Sequence, residues 1–169
     1  MRRETGDLWE GRADWRVITT NLCVRSDGVA VMGRGVARQA ADRFPGLPAR
    51  YGADLRRGIA GLDPIVLEPS PGYGILCLPV KRRWSEPADL GLIEGALREL
   101  AGFAASRPQE IIRMPVPGVG FGEADPAAVA RLLDRYLGEH ANVVVVARGA
   151  GVAAHYPGSF RAGARRDRS

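Results

Sequence analysis

A strand pattern, a glycine-rich loop and a helix pattern follow one another in residues 15–44, WRVITTNLCVRSDGVAVMGRGVARQAADRF. The β-branched residues within 15–20 predict a buried strand. Residues 36–44 have helical apolar spacing, and Pro45 ends that helix. A strand that runs through a loop into a helix is the repeating unit of sheets with helices on their faces. This stretch therefore predicts an α/β fold.

The same alternation continues to the end of the chain. The patterns predict helices at 48–57, 87–105 and 126–137, and strands at 64–68, 74–78, 110–114 and 142–146. We therefore expect an α/β sandwich with a largely parallel central sheet. Such sheets bind ligands at the carboxyl ends of their strands, so the strand-to-helix loops are the candidate functional elements.

Length and composition exclude several classes of protein. A chain of 169 residues favours one domain, and 46% apolar with 25% charged residues is too apolar for a disordered chain. No apolar run approaches the ~20 residues of a membrane span, and the opening MRRETGD lacks the apolar block of a signal peptide. Cys23 and Cys77 have no metal-ligand spacing around them, so we expect reduced thiols in a cytoplasmic protein without a metal or cofactor.

The positive charge is concentrated at the end of the chain. Residues 158–169 hold four arginines and one aspartate, which accounts for +3 of the net charge of +5. An arginine-rich tail can contact nucleic acid, but it is more often a solvated chain end. We expect residues 158–169 to form a flexible tail behind the folded domain.

Two glycine-rich loops, residues 21–35 and 115–125, each lead into a predicted helix. Glycines let backbone N–H groups approach a phosphate, and the helix N-terminus behind them favours an anion. Neither loop has Walker or Rossmann spacing, and either one alone is as well explained by a turn. Two such loops at one sheet edge suit a pyrophosphate. Asp125 directly precedes Pro126 and is expected to cap the helix.

Lys81 is the only lysine among 24 basic residues. Arginine stays protonated in proteins, whereas lysine can act as a base or nucleophile. A stray lysine left by codon usage is the alternative, but Lys81 follows the strand at 74–78 and so lies at the edge where the glycine loops meet. Asn21 ends a strand there too; its amide could bind a ligand hydroxyl, although the residues alone favour a turn cap.

In their order and spacing these motifs resemble the macrodomain family, from about residue 6 to residue 146. The resemblance is to the branch that holds terminal ADP-ribose protein glycohydrolase and the antitoxin macrodomains that remove ADP-ribose from DNA. It rests on Gly6-Asp7-Leu8, the strand ending in Asn21, the loop at 31–37, Lys81-Arg82-Arg83-Trp84 and Gly118-Val119-Gly120-Phe121-Gly122. It implies a three-layer α/β/α domain over residues 1–157 with a mixed, mainly parallel sheet.

The resemblance also implies roles for individual residues. Asp7 would bind the adenine amino group, Asn21 and Phe121 would contact the distal ribose, and Lys81 would be catalytic. Arg148 stands where the family often stacks an aromatic ring on adenine, and its guanidinium could stack instead. The remaining ligand contacts would be Leu8, Met32, Gly33, Arg34, Gly35, Val36, Gly118, Val119, Gly120 and Gly122.

The sequence departs from the family pattern in both glycine loops. The first loop carries extra residues at 25–28. In the second, the terminal glycohydrolase has a catalytic aspartate near the position of Gly122, where the antitoxin type has glycine. The neighbouring Glu123 would act as a general acid or base if it pointed inward; a solvated loop acid is the alternative.

The resemblance implies an ADP-ribosyl hydrolase that cleaves the glycosidic bond at C1″ of the distal ribose. Its partners would be ADP-ribose and ADP-ribosylated macromolecules, either proteins modified on acidic side chains or DNA modified on a base. We expect a monomer that does not bind membranes. A non-catalytic ADP-ribose reader, an ADP-ribose-1″-phosphate phosphatase and a nucleic-acid binder acting through the arginine tail remain alternatives.

Overall fold

A computed structural model describes residues 1–68, 70–149 and 160–162. The strands are β1 (Arg2–Thr5), β2 (Trp15–Asn21), β3 (Asp63–Ile65), β4 (Gly74–Lys81), β5 (Ile112–Pro115), β6 (Val143–Ala147) and β7 (Arg161–Ala162). The helices are α1 (Gly35–Arg43), α2 (Leu47–Arg56), α3 (Leu90–Ala105) and α4 (Pro126–Leu137). Among these described residues, no helix combines the length and apolar character needed to cross a membrane.

The strands form one sheet in the order β3-β4-β2-β5-β6-β1-β7. Among the described strands, only β3 is antiparallel to its neighbour; the other five pairings are parallel. This confirms the predicted mixed, mainly parallel sheet. Successive side chains of a strand point to opposite faces, so the buried strand β4 supplies both layers of the core. Leu76 and Leu78 pack towards α3 and α4, whereas Ile75 and Cys77 pack towards α1 and α2.

The structure extends β4 beyond its predicted end at residue 78. The strand continues through Pro79 to Lys81 because it stays paired with β2 up to Asn21. This extension depends on pairing with a neighbouring strand, so it could not be predicted from the local sequence around Pro79. As a result Lys81 belongs to the sheet itself rather than to the loop behind it.

Strand β1 was not predicted, because its sequence, RRET, has no apolar pattern. Two of its charged side chains form ion pairs with residues on other elements. Arg3 forms an ion pair with Asp134 on α4 at 2.5 Å, and Glu4 forms one with the buried Arg113 on β5 at 2.9 Å. Paired charges of this kind tolerate partial burial, so a polar segment can lie inside a sheet.

The two-residue strand β7 pairs with β1, with Glu4 opposite Arg161 and Thr5 opposite Ala162. Arg161 and Ala162 fall within the segment predicted as a flexible tail. The remaining tail arginines, Arg165, Arg166 and Arg168, lie outside the described residues. The domain limit at residue 157 stays a prediction.

Asp63 on β3 is a buried acid whose Oδ2 has no hydrogen-bond partner within the described parts of the chain. The nearby cations are engaged elsewhere, since Arg50 and Arg57 both pair with Asp54. Burial raises the pKa of the Asp63 carboxyl, and these two arginines offset only part of that rise. The protonated carboxyl is therefore favoured in the folded protein more than in the unfolded chain.

Replacing Asp63 with asparagine is expected to stabilise the protein at pH 7, by on the order of 1 kcal/mol. An acid whose folded pKa is raised costs stability above that pKa, and the cost disappears as the pH falls through it. The advantage of Asp63→Asn should therefore shrink between pH 7 and pH 4. Urea unfolding of both proteins at these two pH values measures it; an advantage that grows on acidification would contradict the assignment.

Candidate active site

A cleft of about 650 Å³ opens at the carboxyl ends of the parallel strands. Both glycine-rich loops contribute to its walls, as do the segment after β1 and the last residues of β4 and β6. The structure brings fourteen of the sixteen predicted site residues to it: Asp7, Leu8, Asn21, Gly33, Arg34, Gly35, Val36, Lys81, Gly118, Val119, Gly120, Phe121, Gly122 and Arg148. A cleft of this volume is in the range that holds small-molecule ligands and cofactors.

Helix α1 points its N-terminus into this cleft without a side-chain cap. Its N-cap residue is Arg34, which makes no capping hydrogen bond, and its first turn has no acidic residue. By contrast, α3 is capped by Asp89 and α4 by Asp125, which accepts from the N–H groups of Ala127 and Ala128. The predicted cap at Asp125 is therefore confirmed. Uncapped N–H groups at the end of a helix attract an anion, so α1 offers a phosphate-binding position.

Asn21 braces the first loop from inside. Its Nδ2 donates to the carbonyl of Val31 at 2.8 Å, and its Oδ1 accepts from the N–H of Cys23 at 2.9 Å. These contacts fit the turn-capping interpretation of the residue. Asn21 also lines the cleft, so the distal-ribose contact stays a prediction. The extra residues at 25–28 form a small hairpin closed by the Val24–Ala30 bridge, and its Arg25 pairs with Asp27 at 2.7 Å.

The second loop is folded tightly on itself. The N–H of Ala124 donates to Gly118 at 3.0 Å, and the N–H of Glu123 donates to Gly120 at 3.0 Å. Gly118 and Gly120 have φ values of +71° and +98°, in the region that favours glycine. A Cβ on Gly122 would lie 2.2 Å from the carbonyl oxygen of Gly118. The backbone conformation of this loop therefore requires glycine at 118, 120 and 122.

Lys81 joins the sheet to the second loop. The β2–β4 register shifts after Thr20, which pairs with Pro79, so Asn21 comes to face Lys81 and Val80 is the extra residue of a bulge. Lys81 Nζ donates to the carbonyl oxygen of Phe121 at 2.7 Å. The amine consequently lies at the cleft wall, between the end of the sheet and an exposed aromatic ring.

The segment after β1 is anchored by a buried cation. The guanidinium of Arg16 donates to the carbonyl oxygens of Leu8 and Gly11 and lies 4.7 Å from the ring centroid of Tyr73. Burial lowers the pKa of the Arg16 guanidinium, and the neighbouring positive charge of Arg113 adds to this effect. This anchor fixes the backbone on which Asp7 sits.

Two predicted site residues lie outside the cleft. Met32 is buried, with 7% of its surface exposed, and packs in the core layer under α1 and α2. Its apolar side chain turns inward between the exposed Gly33 and the half-buried Val31. Glu123 is exposed, has φ of +55°, and is not among the lining residues. This position fits the alternative of a solvated loop acid, because the tight turn directs Glu123 away from the cleft.

Gln39 and Trp84 are two of the polar or aromatic lining residues that were not predicted as ligand contacts. Gln39 follows Gly35 by four residues, which places both on one face of α1. Trp84 follows Lys81 by three residues, and 60% of its surface is exposed. A tryptophan so close to the candidate catalytic lysine could have pointed to the site. Its exposure, which makes it available to a ligand, cannot be predicted from the sequence.

The fold has close counterparts among solved structures. The macrodomain of Mycobacterium tuberculosis DarG matches with a TM-score of 0.73 and 25% identity, covering 88% of this chain and 97% of that one. The macrodomain of Thermus aquaticus DarG matches with a TM-score of 0.72 at the same identity and coverage of 88% and 97%. The chain has the macrodomain fold. Both of these matched structures are macrodomains of DarG proteins.

Sequence comparison points to the same branch. This chain is 28% identical over 125 residues to the DNA ADP-ribosyl glycohydrolase of Mycobacterium bovis, covering 72% of the chain. It spans about a third, 34%, of that relative's length. Thermosipho africanus DarTG in complex with ADP-ribose shares the fold, with a TM-score of 0.74, 19% identity and coverage of 89% and 42%. No protein-family model matches the chain.

Replacing Gly122 with alanine is expected to destabilise the protein by about 1–3 kcal/mol, because the new Cβ would overlap the carbonyl of Gly118. Gly33→Ala is the matched control, since a Cβ there meets no atom within 4 Å. Urea unfolding of both variants measures the difference. Equal stabilities of the two variants would show that the second loop relaxes freely.

Proposed function

We propose that this macrodomain is an ADP-ribosyl hydrolase that releases ADP-ribose from a modified DNA base by a lysine-dependent reaction. The observation that carries the proposal is the amine of Lys81, held 2.7 Å from the Phe121 carbonyl at the wall of the cleft. The names of the curated relative and of the ADP-ribose complex support the substrate class.

The two ends of the cleft suit the two halves of ADP-ribose. The uncapped N-terminus of α1 and the glycines of the second loop offer backbone N–H groups to the pyrophosphate from both sides. The anchored segment at Asp7 suits the adenine end, and Arg148 is exposed beside it at the end of β6. The distal ribose would then lie beside Lys81 and Phe121.

The reaction breaks the bond between C1″ and its leaving group. Its transition state carries positive charge on the ribose ring, so the sugar must be held and the departing group assisted. A neutral Lys81 amine would attack C1″ while the electron pair of the broken bond moves to the leaving group, which takes up the proton that the amine nitrogen loses. Water would then attack C1″, break its bond to Lys81 and release ADP-ribose, which restores the amine. Its ammonium form would instead stabilise the departing group. The glycine loops would supply positioning, which is worth several kcal/mol.

Two exposed aromatic side chains favour a nucleobase over a protein carboxylate as the leaving group. Trp84 and Phe121 are 60% and 67% exposed, and both line the cleft next to Lys81. The guanidinium of Arg34 lies 5.8 Å from the Phe121 ring centroid. Exposed aromatic rings beside a cation are the usual surface for stacking an unpaired base. A carboxylate would gain little from either ring.

Lys81 variants separate hydrolysis from mere binding. Lys81→Ala and Lys81→Arg are both expected to lose at least about 100-fold in the rate of ADP-ribose release, while ADP-ribose still binds. Arginine keeps the charge but not the deprotonable amine, so retained activity in Lys81→Arg would assign the lysine a purely electrostatic role. Rates come from single-turnover release and affinity from calorimetry.

Arg98→Ala on α3 is the control for a lost surface cation, because Arg98 stacks on Tyr136 away from the cleft. Wild-type rates in both lysine variants would overturn the catalytic role. Binding without turnover by the wild type would favour the reader alternative. Release of inorganic phosphate from ADP-ribose-1″-phosphate as the main activity would favour the phosphatase.

Trp84 tests the choice of leaving group. Trp84→Ala is expected to lower kcat/KM about tenfold on thymidine-linked ADP-ribose in single-stranded DNA, the scale of one lost base stack. Release from a carboxylate-linked peptide should change little. Leu90→Ala is the matched control, an exposed apolar residue outside the cleft. Equal losses on both substrates would contradict base stacking.

A further inference from the structure

A hydrogen bond from Trp9 fixes the orientation of the Gln39 side-chain amide, which lines the cleft. Its Oε1 accepts from Trp9 Nε1 at 2.8 Å. An indole nitrogen can only donate, so the atom facing Trp9 must be the amide oxygen and the orientation of the amide is determined. Nε2 has no acceptor among the described residues. Since Gln39 lines the cleft and Trp9 does not, the donor end is the one left for a ligand.

Trp9 also fixes the carboxylate of Asp7. Its backbone N–H donates to Asp7 Oδ1 at 3.0 Å, which leaves Oδ2 for another donor. The indole ring is itself immobilised. Arg43 lies 4.4 Å from its centroid, and the ring of Phe44 packs against it with centroids 6.2 Å apart. One half-buried tryptophan therefore holds both an acceptor and a donor that line the cleft.

We propose that Asp7 and Gln39 read adenine as a pair, with Trp9 as the positioning residue. The inference rests on the proposed function and adds a specificity-determining residue to it. Adenine presents an amino donor beside a ring-nitrogen acceptor, which matches a carboxylate beside an amide N–H. Hypoxanthine and guanine carry a carbonyl in place of that amino group, so it would face the Asp7 carboxylate.

The test uses analogues of ADP-ribose that lack one acceptor. Replacing N7 or N1 of the adenine with a C–H group leaves the amino group for Asp7 but removes the partner of Gln39. Wild-type protein is expected to bind one of these two deaza analogues about fivefold more weakly than ADP-ribose, the scale of one neutral hydrogen bond. In Gln39→Leu that penalty should vanish, because the donor is gone.

Two further variants separate this role from a structural one. Gln39→Glu keeps the shape and the contact with Trp9 but presents an acceptor, so it should bind ADP-ribose more weakly than Gln39→Leu does. Trp9→Phe keeps an aromatic ring but loses the indole N–H, and should reduce the deaza penalty. Arg38→Leu is the control on the same helix, since Arg38 pairs with Asp42 away from the cleft.

Calorimetry with ADP-ribose and both analogues distinguishes the outcomes. A deaza penalty in the wild type and Arg38→Leu that is absent in Gln39→Leu supports the pair. If wild-type protein binds both analogues as tightly as it binds ADP-ribose, the inference is overturned while the proposed function stands. The same holds if Gln39→Leu still binds a deaza analogue more weakly than ADP-ribose. Failure of wild-type protein to bind ADP-ribose would overturn both.

Discussion

The site depends on the parallel pairing of β2 with β4. Both strands have neighbours on either side in the sheet, and their pairing continues from Trp15 opposite Gly74 to Asn21 opposite Lys81. The register shift at the end of this ladder places the amide that braces the first loop across from the amine that contacts the second. A regular ladder would pair Asn21 with Val80 instead. The bulge thus couples the two loops through adjacent strand ends.

The helices differ in how the free N–H groups at their N-termini are capped. The N-termini of α3 and α4 are satisfied by the aspartates that precede them, whereas Arg34 before α1 and Gly46 before α2 make no side-chain capping bond. Of these two uncapped helices, α1 is the one whose N-terminus lies at the cleft. A capping aspartate at Arg34 would make α1 more stable in isolation, but it would put a negative charge where a phosphate is expected to bind. The missing cap is therefore consistent with a binding role for this helix end.

The sequence contained most of the architecture because strand and helix periodicities are local. The helices α1, α2 and α4 lie within one residue of their predicted limits, and fourteen site residues follow from motifs. What it lacked were tertiary effects. The charged strand β1 is held by ion pairs with distant residues, and Met32 turns into the core next to glycines that face the cleft. The contact of Trp9 with Gln39 joins residues 30 positions apart and leaves no local pattern.

The short strand β3 at one edge of the sheet has a consequence for how the domain meets other chains. It has only three residues, and the exposed Pro64 stands at its centre. Proline has no N–H, so an incoming strand would find a donor missing in the middle of a three-residue template. This edge of the sheet therefore resists the strand-by-strand addition of other chains that leads to fibrils.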